Sequence, residues 1–153
     1  GSEMCIRDRH RVAALRKIAP ILRLGHCDME ALLPNTTLAR YGDGELVLGH
    51  GEIPSAMTFV IKGRIRLCVD AGGGPSVPIR TLQQGDFLGQ TALTREPVTG
   101  DAYAEGELTV LAIKRIAMEE LLLDRPALLQ DVSRAIDERR AVALAALSDG
   151  IAP

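Results

Sequence analysis

Residues 85–101, GDFLGQTALTREPVTGD, are where residue types and spacing in this chain bear most directly on chemistry. The run opens like a strand end, passes through a glycine-bearing turn and a short apolar–polar segment, and closes through a proline. A loop of this kind can present backbone N–H groups at a helix start, and such groups hold small anions. Yet it has no lysine, and its one arginine is Arg95. The expectation is an anion-sized loop short of cationic side chains.

Catalysis has little to build on. There is no Ser/His/acid or Cys/His set, no HExxH and no GxSxG. His10, His26 and His50 are far apart, and His50, between Gly49 and Gly51, reads as a turn residue. Cys5, Cys27 and Cys68 are scattered and odd in number, with no metal-ligand spacing, although His26 adjoins Cys27. They read as free thiols in a reducing compartment. No catalytic residue, metal site or cofactor is expected.

The elements that must position the loop follow from pattern. The length of 153 residues suits one domain. A hydrophobic fraction of 46% supports a core, and 3% aromatics with no tryptophan makes that core aliphatic. A net charge of −2, with basic residues concentrated in RDRHR and DERR near the ends, makes a poor non-specific binder of nucleic acid. Both ends read as helices. In RVAALRKIAPILRLG, Val12, Leu15 and Ile18 share one face, and Pro20 is expected to break the pattern. Asp28 is placed as the cap of a short helix stopping at Pro34. From Thr36 the texture becomes short β-branched runs separated by Gly42-Asp43-Gly44, Gly49, Gly51, Gly63, Gly72-Gly73-Gly74 and Gly85. Ile65, Leu67 and Val69 alternate with Arg64, Arg66 and Cys68. Such spacing means a sandwich or jelly-roll barrel. After Arg115 helical periodicity returns, with a new start at Asp124 and Pro126. Leu129, Val132 and Ile136 form one stripe there, Leu144 and Leu147 continue it, and Arg139 and Arg140 interrupt it. The small-residue end, AVALAALSDG, points to a partner helix or a frayed tail.

Helix, jelly roll and two further helices, with this loop late in the roll, resemble the cyclic nucleotide-binding domain family. The resemblance is carried by LVLGHGEIPSAMTFVIKGRIRL, with Gly51, Glu52, Phe59, Ile61 and Gly63 at matching places. It is carried also by QQGDFLGQTAL, similar to the family's G-D/E-x-F-G-E-x-A-L at the opening of its phosphate-binding cassette. The match runs from about Arg11 to Arg140. It implies a mainly β fold, an eight-stranded jelly roll with N-terminal helices and two C-terminal helices. It also implies a ligand site at Leu88, Gly89, Gln90, Thr91, Ala92, Val98 and Thr99, with Arg95 and Arg139 as further candidates.

Within that resemblance the family's acid, which accepts the ribose hydroxyl, falls at Gln90, and its phosphate-pairing arginine falls at Val98. Glutamine still offers a carbonyl acceptor. Valine offers nothing to a phosphate, and a charge-assisted contact is worth roughly 1.5–3 kcal/mol. Cyclic AMP or cyclic GMP is therefore expected to bind weakly or not at all. Arg95 reads as a solvated loop residue beside Glu96, or as a substitute for the missing arginine. Arg139 reads as a solvated residue near the helix end, or as a lid stacking on a base.

The expected divisions are a tag or linker and the start of a lead-in helix at 1–10, and a helical segment at 11–35. The β-roll follows at 36–115 with its cassette at 85–101, then C-terminal helices at 116–148 and a tail at 149–153. The Gly-Ser opening resembles a cloning scar, so a piece of a longer chain is expected. The helical lead-in and DRPALLQDVSRAIDERRAVALAAL resemble the cytoplasmic extension of bacterial mechanosensitive-like channels. That implies a cytoplasmic sensing domain of a membrane-embedded parent, with homo-oligomerisation through the flanking helices. No apolar run approaches the roughly 20 residues a bilayer span needs. The alternatives are a ligand-free interaction or oligomerisation platform, and the effector domain of a transcription regulator without its helix-turn-helix.

Overall fold

The computed structural model of this chain describes residues 6–69, 77–98 and 100–151. Cys5, the Gly72-Gly73-Gly74 turn, Thr99 and the last tail residues lie outside them. So do the side chains of Gln90, Arg140, Leu144 and Leu147.

Two helices lead in: α1, Ile6–Leu22, and α2, His26–Leu32, followed by a 3-10 turn, Leu33–Asn35. Ala14, Leu15, Ile18 and Leu22 form the buried face of α1. Pro20 does not break this helix but lies inside it. It removes the N–H that would bond the Arg16 carbonyl, and α1 ends two residues later, so only the last turn is affected. Asp28 is likewise not the N-cap of α2. Gly25 holds that position, and Asp28 sits three residues on with its carboxylate accepting the Gly25 N–H at 2.8 Å.

Six strands follow: β1, Thr36–Tyr41; β2, Leu46–Leu48; β3, Ala56–Val69; β4, Val77–Leu82; β5, Phe87–Leu88; and β6, Gly100–Lys114. All pairings are antiparallel, in the order β1-β6-β3-β4, with β2 on β6 and β5 on β3. This is the expected roll with flanking helices. The expected count of eight becomes six because β3 and β6 are long, bent ribbons, each serving as two. The bend in β3 is at Gly63, with φ +96°; one register shift lies just before it, between Val60 and Lys62, where β3 carries an extra residue, and a second spans it. A Cβ there would sit 2.3 Å from the Glu107 carbonyl oxygen, so only glycine allows the ribbons to approach. The extra residue also reverses facing, which puts Val60 and Ile65, five apart, on one side.

The sheet divides two apolar clusters. Val60, Ile65, Leu82, Leu88, Leu108 and Val110 belong to the inner one, to which all six strands contribute. The other joins Met57, Phe59, Ile61, Leu111 and Ile113 to the helices. Its helical side includes α3, Arg115–Asp124, and α4, Pro126–Ile151. Pro126 opens α4, as expected. Val132 and Ile136 lie on the buried stripe of α4 as expected, but its first member is Leu128, which is buried, rather than Leu129, which is 41% exposed. Leu128 and Val132, four residues apart, lead on to the half-buried Ile136 and then to Arg139, itself buried at 8% exposure. Arg139 therefore continues the stripe rather than interrupting it.

Candidate functional site

The cassette begins at a tight turn. The Gly85 N–H donates to the Val60 carbonyl at 3.0 Å, and the Val60 N–H to the Asp86 carbonyl at 2.9 Å. Asp86 Oδ2 accepts the Gln83 N–H at 2.9 Å, closing the turn. Phe87 and Leu88 then pair with Phe59 and Thr58. Alternation sends Leu88 into the inner cluster and Phe87 toward the helices. Gly89 has φ +81°, and a Cβ there would lie 2.6 Å from the Ala56 carbonyl oxygen. The cassette is thus pinned against the start of β3 by a residue that cannot carry a side chain.

Gln90–Ala92 form a single 3-10 turn, shorter than the helix a full anion cradle would use. The Ala92 N–H is already committed to the Gly89 carbonyl at 3.0 Å, and the Glu96 N–H to the Thr91 carbonyl at 3.1 Å. Ala92 is fully buried. Thr91 Oγ1 is buried and has no hydrogen-bond partner among the described residues. The loop tip carries Arg95, exposed and at φ +58°. The return limb is tied down at Val98, whose N–H donates to the Glu52 carbonyl and whose carbonyl accepts the Gly51 N–H, both at 2.9 Å. One of the two stretches that carried the resemblance, Gly51-Glu52, thus holds the other in place. His50 is part of the same turn, its N–H bonded to Asp101 Oδ1 at 2.7 Å.

Leu88 to Ala92 are therefore together, and Val98 is fixed across the loop from them on Gly51 and Glu52. Arg95 stands apart at the tip. Arg139 lies on the helix side: its guanidinium carbon is 4.2 Å from the centroid of the Phe87 ring. Phe87 in turn lies 6.1 Å from Phe59 at a tilt of 52°. The aromatic face that Arg139 covers is thus the protein's own. Burial, and then the neighbouring Arg80, push its pKa down to about 10, while Asp86 works the other way. Arg80 and Asp86 are 3.9 Å apart. Phe87, Asp86 and Arg80 were not singled out in the sequence. Only the Asp-Phe pair before the cassette glycine could have marked them. Among the described residues, Thr36 and Arg139 are the buried polar or charged ones, so the inner face offers a ligand no buried cation there.

The architecture is thus a curved antiparallel roll with a glycine-pinned loop between the start of β3 and the helical layer. A family model for the cyclic nucleotide-binding domain matches residues 38–125, and the chain belongs to that family. Among solved structures it is similar to the regulatory domain of Toxoplasma gondii PKA with cAMP, at 19% identity and TM-score 0.73, covering 86% of this chain and 50% of that one. It is similar to the catabolite activator protein of Thermus thermophilus, at 21% and 0.67, covering 82% and 59%. It also resembles the regulatory subunit of a cAMP-independent protein kinase A from Trypanosoma brucei, at 16% and 0.70, covering 82% and 48%. A triple mutant of that subunit, with an arginine among its introduced residues, has cAMP bound in the A site. At these identities the likeness concerns the fold. The chain spans about half of the matched chains' length. No curated protein matches it.

Proposed function

We propose that this chain is a small-molecule-sensing regulatory domain in which cyclic-nucleotide binding is weakened or lost. The observation that carries the reading is Val98, held by its main chain on Gly51 and Glu52 where the resemblance puts the phosphate-pairing arginine. The exposed position of Arg95 and the stacking of Arg139 on Phe87 support it, because neither occupies the place left by that arginine. The Trypanosoma brucei subunit offers a parallel within the fold, as the regulatory subunit of a protein kinase A described as cAMP-independent.

The reading is of binding and relay, with no chemical step. Its setting is the cytoplasmic part of a bacterial membrane channel, oligomerising through the flanking helices. Among the described residues no helix is long and apolar enough to cross a membrane. The second reading, a ligand-free docking platform, is favoured by the filled inner cluster, where Val60, Ile65 and Leu82 are 0% exposed.

Thermal unfolding with and without millimolar cyclic AMP or cyclic GMP separates the two. A ligand that binds only the native state raises the midpoint by mass action. A small rise at millimolar ligand is expected for the weakened sensor. Micromolar binding would refute the loss, and no rise with any nucleotide would favour the platform. For a sensor, amide exchange along residues 129–147 changes when ligand binds, because α4 packs on the cassette face.

A further inference from the structure

Two corners of the helical layer lie side by side. One joins α1 to α2 through Arg23, Leu24 and Gly25, and the other joins α3 to α4 at Arg125. Each corner sends an arginine to a carboxylate of the opposite segment. Arg125 donates through Nη2 to Asp28 Oδ2 on α2 and through Nη1 to the Arg23 carbonyl at 3.0 Å. Arg23 donates through Nη2 to Asp131 Oδ2 on α4 at 3.0 Å. The two pairs are reciprocal. Asp28 is also fixed from its own side by the Gly25 N–H. That bond lowers its carboxyl pKa most, burial opposes it, and Arg125 adds to the lowering. Arg23 adopts φ +54°, an uncommon conformation for a side-chain-bearing residue. Leu22, Leu32, Leu121, Leu122, Leu128 and Val132 share one apolar cluster in the same segments.

We infer that these two reciprocal pairs form a clasp through which α2 and the first turns of α4 open and close as one unit. The clasp needs no ligand, so it stands or falls apart from the reading above.

The experiment is amide exchange by mass spectrometry on the ligand-free chain. Asp131→Asn removes one charge from α4 and touches no bond of α2. Exchange at His26–Leu32 and at residues 126–133 should both quicken by about two- to fivefold, the range exposed ion pairs give. Asp28→Asn keeps an acceptor for the Gly25 N–H and should quicken the first turns of α4 as well. Arg23→Gly suits the positive φ and removes only the side chain, so it should still quicken residues 126–133. The exchanged pair Arg23→Asp with Asp131→Arg should restore protection. Effects confined to the substituted element would overturn the clasp. So would slower exchange in Arg23→Gly, or failure of the exchanged pair to restore protection.

Discussion

On the proposed reading, Val98 is the residue that weakens cyclic-nucleotide binding, through what its side chain lacks rather than through its backbone. Its backbone bonds to Glu52 and Gly51 are available to any residue other than proline, so the position tolerates a change of side chain. Val98→Arg, alone or with Gln90→Glu, should therefore leave the fold intact. It should raise cyclic-nucleotide affinity at least about tenfold, since each 1.4 kcal/mol is a factor of ten. Isothermal titration calorimetry measures this directly. No gain from the double substitution would mean that the cassette, with its single 3-10 turn, no longer forms a cradle for phosphate. The placing of Val98 rests on the family resemblance and on a strand starting at about Asp101, and the strand was legible, since β6 begins at Gly100. The commitment of the Ala92 N–H was not, since it depends on how few residues the turn holds.

At the scale of elements, α4 is held by an apolar stripe and by Arg139. At neutral pH this guanidinium is charged in both the folded and unfolded chain, and the fall in its folded pKa to about 10 marks a net cost of burying it. That cost fades only as pH rises past about 10. Arg139→Met keeps the length and packing without the charge. It should unfold at the same temperature or higher, as replacements of buried charges by apolar residues often do. A loss above about 1 kcal/mol would show that stacking on Phe87 outweighs burial. Asp28 behaves oppositely. Its folded pKa is lowered, chiefly by the Gly25 N–H, so it stabilises the fold above the ordinary value of 3.8. This contribution disappears as pH falls through the lower folded value. Wild type should lose its stability margin over Asp28→Asn as pH drops below 3.8 in thermal melts.

For the whole molecule, the two apolar clusters on opposite faces of one sheet set the division of labour. The inner cluster closes the roll, and the outer one docks the helices. Among the described residues, the contribution of α4 to the outer cluster reaches Ile136, with Arg139 just beyond. Removing residues 141–153 should therefore leave the unfolding free energy within about 0.5 kcal/mol of wild type, as for changes away from a core. The same truncation should abolish concentration-dependent self-association in sedimentation, if the flanking helices carry it. Persistence of the oligomer would move the interface onto the roll.

The amino-acid sequence by itself determined the order of elements, the roll and the place of the loop at 85–101. All of these are local: period-two alternation, turn glycines and motif spacing are read within a dozen residues. Tertiary structure alone decided the rest. The quarter-turn difference, about 100° for one residue, that buries Leu128 rather than Leu129 depends on how α4 docks on the outer cluster. The burial of Arg139 depends on Phe87, fifty-two positions away in the chain, facing out of the sheet. Asp28 serves its helix from the third position because Gly25 can enter the helix in an extended conformation and Arg125 arrives from the far corner. Charged side chains read as solvated in one dimension because their partners, brought close only by folding, are invisible to any local pattern.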